Sequence, residues 1–129
     1  MKSGLNGTRP LEMAVKVERY GVYRVNLDPV LGSEISKTRP AAVISDEAMN
    51  THLGTVVVCP ITSRIHPRWP GRVQMRIGRT PSEVAVDQIR AVAKARLGDR
   101  IGTLGPGVAA SVRHIITEMY GVLSVSSFE

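Results

Sequence analysis

Apolar residues along this chain fall into short alternating runs for most of its length and into a helical stripe only near the end. Over residues 20–27, Tyr23, Val25 and Leu27 alternate with Val22, Arg24 and Asn26, a two-residue period that predicts a strand with one apolar face. Asp28-Pro29 ends it, because proline has no N–H to give a ladder. Pro40 opens a second strand over residues 41–45, and Asp46 is placed to cap a single helical turn over residues 46–50. Residues 55–60 form a continuous apolar run, the pattern of a third strand buried on both faces. Alternation returns over residues 72–77, a fourth strand, and residues 83–86 make a fifth. Residues 87–97 read as a short strand followed by a helical turn, and residues 102–107 as a break. Beyond the break, Val108, Val112, Ile115, Ile116, Met119 and Leu123 recur at helical spacing.

Short strands with antiparallel loop lengths and one C-terminal helix predict a mainly β fold with α, a small antiparallel barrel capped by a helix. Two polar loops project from it, VLGSEISKTR over residues 30–39 and ITSRIHPRWPG over residues 61–71. Long ordered loops on a rigid scaffold are common places for function.

Composition sharpens this picture in four ways. A chain of 129 residues has a one-domain length, and with aromatics at 4% its core is aliphatic, as β-branched strands prefer. The formal charge of +6 favours a polyanionic partner over mere solubility, without saying which polyanion. A single cysteine, Cys59, forms no internal disulfide, and its apolar setting marks it as a small hydrophobe rather than a nucleophile. No run approaches the roughly 20 apolar residues of a membrane span, so a cytoplasmic protein with no membrane contact is expected. Residues 1–12 carry no periodic pattern. They read as a disordered leader or a remnant preceding Met13, with one domain over residues 13–129.

Familiar catalytic arrangements are missing from the sequence. One Cys and three scattered His (His52, His66 and His114) make no zinc spacing, so neither metal nor cofactor is expected. There is no phosphate-binding P-loop and no nucleophile elbow. The polar residues of the two loops remain: Ser33, Glu34, Lys37, Thr38 and Arg39, then Thr62, Ser63 and Arg64. Pro40 restricts Arg39 to extended backbone, which fixes where its side chain begins. A guanidinium so held can grip a phosphate with two hydrogen bonds, and threonine and serine hydroxyls can donate to its oxygens. RNA carries its own nucleophile, the 2′-hydroxyl, so orientation and charge stabilisation are what a protein must add to cleave it. A solvated Arg39–Glu34 surface pair explains the same residues equally well at this level.

The segments NLDPVLGSE (residues 26–34), KTRP (37–40), VCPITSR (58–64), DQIR (87–90) and RLG leading to IGTL (96–104) stand in an order and at spacings that resemble the MazF/PemK family of toxins, over about residues 17–125. The resemblance implies an SH3-like (CcdB/PemK-like) barrel forming a homodimer. It implies a type II toxin that cleaves single-stranded RNA sequence-specifically, without metal, through a 2′,3′-cyclic phosphate. It also implies a cognate antitoxin with an acidic, partly disordered segment. Arg39 matches the family's catalytic arginine and Thr62 the threonine that holds the scissile phosphate. Ser33 and Glu34 match loop positions near the substrate, and Ser63 beside Thr62 is a further candidate for catalysis or RNA binding. Asp87 and Gln88 match a segment that contacts bases or supplies an acidic group. Lys37, Arg64 and Trp69 are candidate RNA or antitoxin contacts, Asp87 and Arg90 a candidate structural pair, and the 112–123 stripe a core or dimer surface. The chain departs from the pattern at its first strand, where Arg-Gly-acidic is replaced by Arg19-Tyr20-Gly21, and at Ala85 and Ser33, where some members carry arginine and histidine. Competing readings are a gyrase poison resembling CcdB, a paralogue that binds RNA or antitoxin without cleaving, and a generic basic interaction domain.

Overall fold

The computed structural model describes residues 16–27 and 38–121. The proposed leader over residues 1–12, most of the first loop with Ser33, Glu34 and Lys37, and Leu123 lie outside the described residues.

Among the described residues, seven strands and two helices follow one another as β1 (Gly21–Asn26), β2 (Thr38–Val43), α1 (Glu47–His52), β3 (Thr55–Thr62), β4 (Arg72–Ile77), β5 (Thr80–Ala85), β6 (Arg90–Ala93), β7 (Leu97–Thr103) and α2 (Pro106–Tyr120). Single 3-10 turns at Val86–Gln88 and Lys94–Arg96 flank β6. All pairings are antiparallel, in the order β4-β5-β3-β2-β1-β7, with β6 also on β3. One edge of β3 is shared: Thr55 to Val58 pair with β6, and Ile61 and Thr62 pair with β5. One strand serving two neighbours on one edge curls the sheet into a half-barrel.

The middle strands of that curled sheet are buried on both faces. Val22, Ala42, Cys59, Ile61, Val73 and Val84 face Ala109 and Val112 of α2, whereas Tyr23, Val25, Ala41, Val43, Val56, Val58 and Val92 form a second cluster inside the curl. Successive residues of β1, β2 and β3 therefore feed opposite cores, as the alternation of strand side chains requires. The expected double burial of the third strand holds, but β1 does not have one apolar face. Val22 packs under α2, and of the β1 side chains only Arg24 is exposed.

Asp46 caps α1 as expected, its carboxylate accepting from the Met49 N–H at 2.9 Å. Pro106 opens α2, where a missing N–H leaves nothing unsatisfied. The expected break at residues 102–107 is displaced, because β7 runs to Thr103 and pairs with β1 from Val25 to Gly21. β7 was unreadable because it is mostly exposed: hydrogen bonds to β1 hold it, not a buried face. β5 likewise begins at Thr80, three residues before the expected start, on a two-residue turn in which Gly78 takes φ +60°. Glycine at the first central position is the type II′ hairpin requirement.

Candidate functional site

β2 and β3 bring the two loops' polar residues to one end of the sheet. The β2–β3 register pairs Ala41 with Pro60, and two residues further on it brings Arg39 level with Thr62. Arg39 also sits across from Val25 of β1, so its side chain starts on the face of the inner cluster. Thr62 pairs with Glu83 of β5, and Glu83 with Gln74 of β4. A single cross-strand row thus runs Arg39, Thr62, Glu83, Gln74.

At the Arg39–Thr62 end of this row opens a cleft of about 740 Å³. Its polar lining is Arg39, Thr62, Ser63, Arg64, Thr80, Ser82, Gln88 and Arg90, and its apolar walls include Leu27, Pro60, Ile61 and Ile77. Three arginines and no carboxylate line it among the described residues, so it is a site for anions. Arg39 is exposed and donates from Nη1 to the Thr38 carbonyl at 2.9 Å. The Arg64 N–H donates to Thr62 Oγ1 at 3.0 Å. That bond occupies a lone pair of the hydroxyl and leaves its proton to be given elsewhere. No ion pair to a described carboxylate engages Arg64 or Arg90.

Asp87 and Trp69 do not line this cleft. The expected Asp87–Arg90 pair does not form. Asp87 accepts from Arg72 Nε at 2.9 Å, and Arg90, across from Val58 on β6, turns to the cleft instead. Trp69 stacks on His66, with centroids 3.8 Å apart and planes 8° from parallel, and the Arg72 guanidinium lies 4.8 Å from its ring.

Behind Thr62 is a buried charge pair that the pattern of the chain did not reveal. Arg72 Nη1 donates to Glu83 Oε2 at 2.6 Å, with the two side chains 3% and 0% exposed. Glu83 Oε1 accepts from Gln74 Nε2 at 2.7 Å and from the His66 backbone N–H at 2.9 Å. Burial alone pushes the Glu83 carboxyl up; the hydrogen bonds from His66, Gln74 and Arg72 outweigh it and hold the group below the usual carboxylate range. Arg72 is likewise raised, burial being outweighed by Asp87 and Glu83. Cys59 lies at the centre of β3, fully buried, and burial pushes its thiol up to about 12, which rules out a nucleophilic role. Among the described residues no three or more His, Cys, Asp or Glu gather as a metal site would need. No described helix is long and apolar enough to cross a membrane.

Residues 18–120 match the family model for PemK-like, MazF-like toxins of type II toxin–antitoxin systems. The chain is 33% identical to endoribonuclease MazF9 of Mycobacterium tuberculosis over 105 residues, 74% of this chain and 89% of the relative. Against endoribonuclease EndoA of Bacillus subtilis it is 36% identical over 90 residues, 66% and 78% of the two chains. In three dimensions it superposes on the crystal structure of MazF from Deinococcus radiodurans with a TM-score of 0.70 at 26% identity, covering 84% of this chain and all of that one. A MazE–MazF complex from the same organism gives 0.70 at 25% identity.

Proposed function

The chain belongs to the PemK-like, MazF-like toxins of type II toxin–antitoxin systems, and from that premise we propose that its arginine-lined cleft is where it cleaves single-stranded RNA. The relatives it matches are endoribonucleases, which favours RNA cleavage over the gyrase-poison reading. One observation carries the assignment: Arg39 and Thr62 share a cleft that, among the described residues, is lined by three arginines and no carboxylate.

The substrate supplies the nucleophile. Its 2′-oxygen attacks phosphorus, the bond to the 5′-oxygen breaks, and the products are a 2′,3′-cyclic phosphate and a 5′-hydroxyl. The 2′-hydroxyl loses a proton and the leaving oxygen gains one. Arg39, always protonated, stabilises the charge that builds on the phosphoryl oxygens. Thr62 donates its hydroxyl proton to one of them, because the Arg64 N–H already occupies its oxygen as an acceptor. Arg64 and Arg90 hold the neighbouring backbone, and Gln88 is placed to read a base edge. Asp87, committed to Arg72, is not aimed at this chemistry. Ser33, Glu34 and Lys37 precede β2 in the chain and remain candidate substrate contacts outside the described residues. The active form is a homodimer, and an acidic antitoxin segment competes for the arginines through its carboxylates.

The test is digestion of a long single-stranded RNA by the purified protein in excess EDTA, beside Arg39→Ala. Discrete fragments ending in cyclic phosphate are expected from the wild type, with a loss of at least about 100-fold in the variant. Intact RNA from folded wild type, on substrates of random sequence, would reject the assignment.

A further inference from the structure

The loop from Ser63 to Gly71 meets the cleft at Ser63 and Arg64, and both ends of its first turn are fastened to one residue. At one end Thr62 pairs with Glu83 across the β3–β5 ladder. Four residues on, the His66 N–H donates to the Glu83 carboxylate at 2.9 Å. Ser63, Arg64 and Ile65 are thus a closed turn hung between the backbone and the side chain of Glu83. The Arg64 N–H to Thr62 Oγ1 bond lies inside that turn and sets which way the hydroxyl proton points.

Glu83 is itself immobilised. It is fully buried and accepts from Arg72 and Gln74 as well as from His66. The far part of the loop is held by the same cluster: the Trp69 backbone N–H donates to the His66 carbonyl at 3.0 Å, and its ring stacks on His66 with the Arg72 guanidinium 4.8 Å from its centroid. The loop closes at Gly71, whose φ of +79° suits glycine and whose carbonyl accepts from the Val86 N–H at 2.7 Å.

We infer that Glu83 is a positioning residue for cleavage: its buried carboxylate, braced by Arg72, anchors the 63–66 turn and thereby fixes the Thr62 hydroxyl and Arg64 against the scissile phosphate. This rests on the assignment of Thr62 to that phosphate. A displacement of the hydroxyl by an ångström lowers turnover far more than it weakens ground-state binding of a long RNA held at several phosphates.

Trp69 is the only tryptophan in the chain, so its emission reports on this loop without any RNA present. The experiment compares wild type with Glu83→Gln, which offers one acceptor oxygen where three donors converge. A second variant, Arg72→Met with Glu83→Leu, removes both charges together and so leaves none buried alone if the first variant folds poorly. Circular dichroism establishes the folded fraction of each. Trp69 emission should move to longer wavelength and become more open to acrylamide quenching. The turnover number on RNA should fall at least tenfold, while affinity for an uncleavable 2′-deoxy analogue stays within threefold. Unchanged emission in folded variants, or an activity loss that merely follows the unfolded fraction, would overturn the inference. Wild type that cleaves nothing would instead sink the assignment of the cleft and the positioning role with it; the loop anchor alone would then be decided by Trp69 emission.

Discussion

Tyr20 adopts φ +68°, a conformation that costs a side chain of this kind about 1–3 kcal/mol. Its surroundings over-determine it. Its N–H donates to the Val43 carbonyl at 2.7 Å, its carbonyl accepts from Leu104 at 2.8 Å, and its ring has the Arg19 and Arg113 guanidinium groups 5.2 and 5.6 Å from the centroid. The glycine stands one place later, and a Cβ built on Gly21 would lie 2.7 Å from a ring carbon of Tyr23, which is fully buried. In this chain Tyr23 occupies the volume a side chain at position 21 would need. Gly21→Ala should therefore destabilise by about 1–3 kcal/mol in urea unfolding. Gly102→Ala, with nothing within 4 Å of the added carbon, should change stability by less than about 0.5 kcal/mol.

Between elements, the β4–β5 hairpin decides where charge is buried. Its register sets Gln74 across from Glu83 and Arg72 across from Ala85, which brings the guanidinium onto the carboxylate. Because the folded structure lowers the Glu83 pKa, the stabilisation is complete above the ordinary carboxylate value of about 4.3 and is lost as pH falls through the lower, folded value. Urea midpoints should stay flat from neutral pH to about 5 on this account and then drop on acidification, with a shallower drop in Arg72→Met with Glu83→Leu. The same hairpin shows what the chain's pattern could not convey. Alternation located β1 and β4, Pro40 marked β2 and a continuous apolar run marked β3, each within a few residues of its observed bounds. Alternation failed for β7, which has no buried residue, and for the start of β5, where Pro81 and Glu83 break the apolar alternation. With β5 begun at residue 83, the hairpin register is lost, and nothing in the pattern singles out Glu83. Arg39 and Thr62 were legible because their motifs are; Arg90 as a cleft residue became visible only once β6 was paired to β3.

Over the whole molecule the net charge of +6 draws any polyanion, but the cleft decides how tightly it is held. Single-stranded RNA should bind with a log affinity that falls linearly with log salt, by about 0.7 for each phosphate neutralised. Arg64→Ala and Arg90→Ala should each reduce that slope by about 0.7 in anisotropy titrations with an uncleavable oligonucleotide. The barrel was foreseen from strand lengths and loops, whereas its curl was not, since it depends on β3 serving β5 and β6 on one edge. At the centre of that strand sits Cys59, wholly enclosed and held as the unreactive thiol. A thiol reagent can reach it only while β3 is parted from its neighbours. Its rate of alkylation in native buffer is accordingly a clock for how often the sheet opens, and any ligand that slows the clock has bound the closed form.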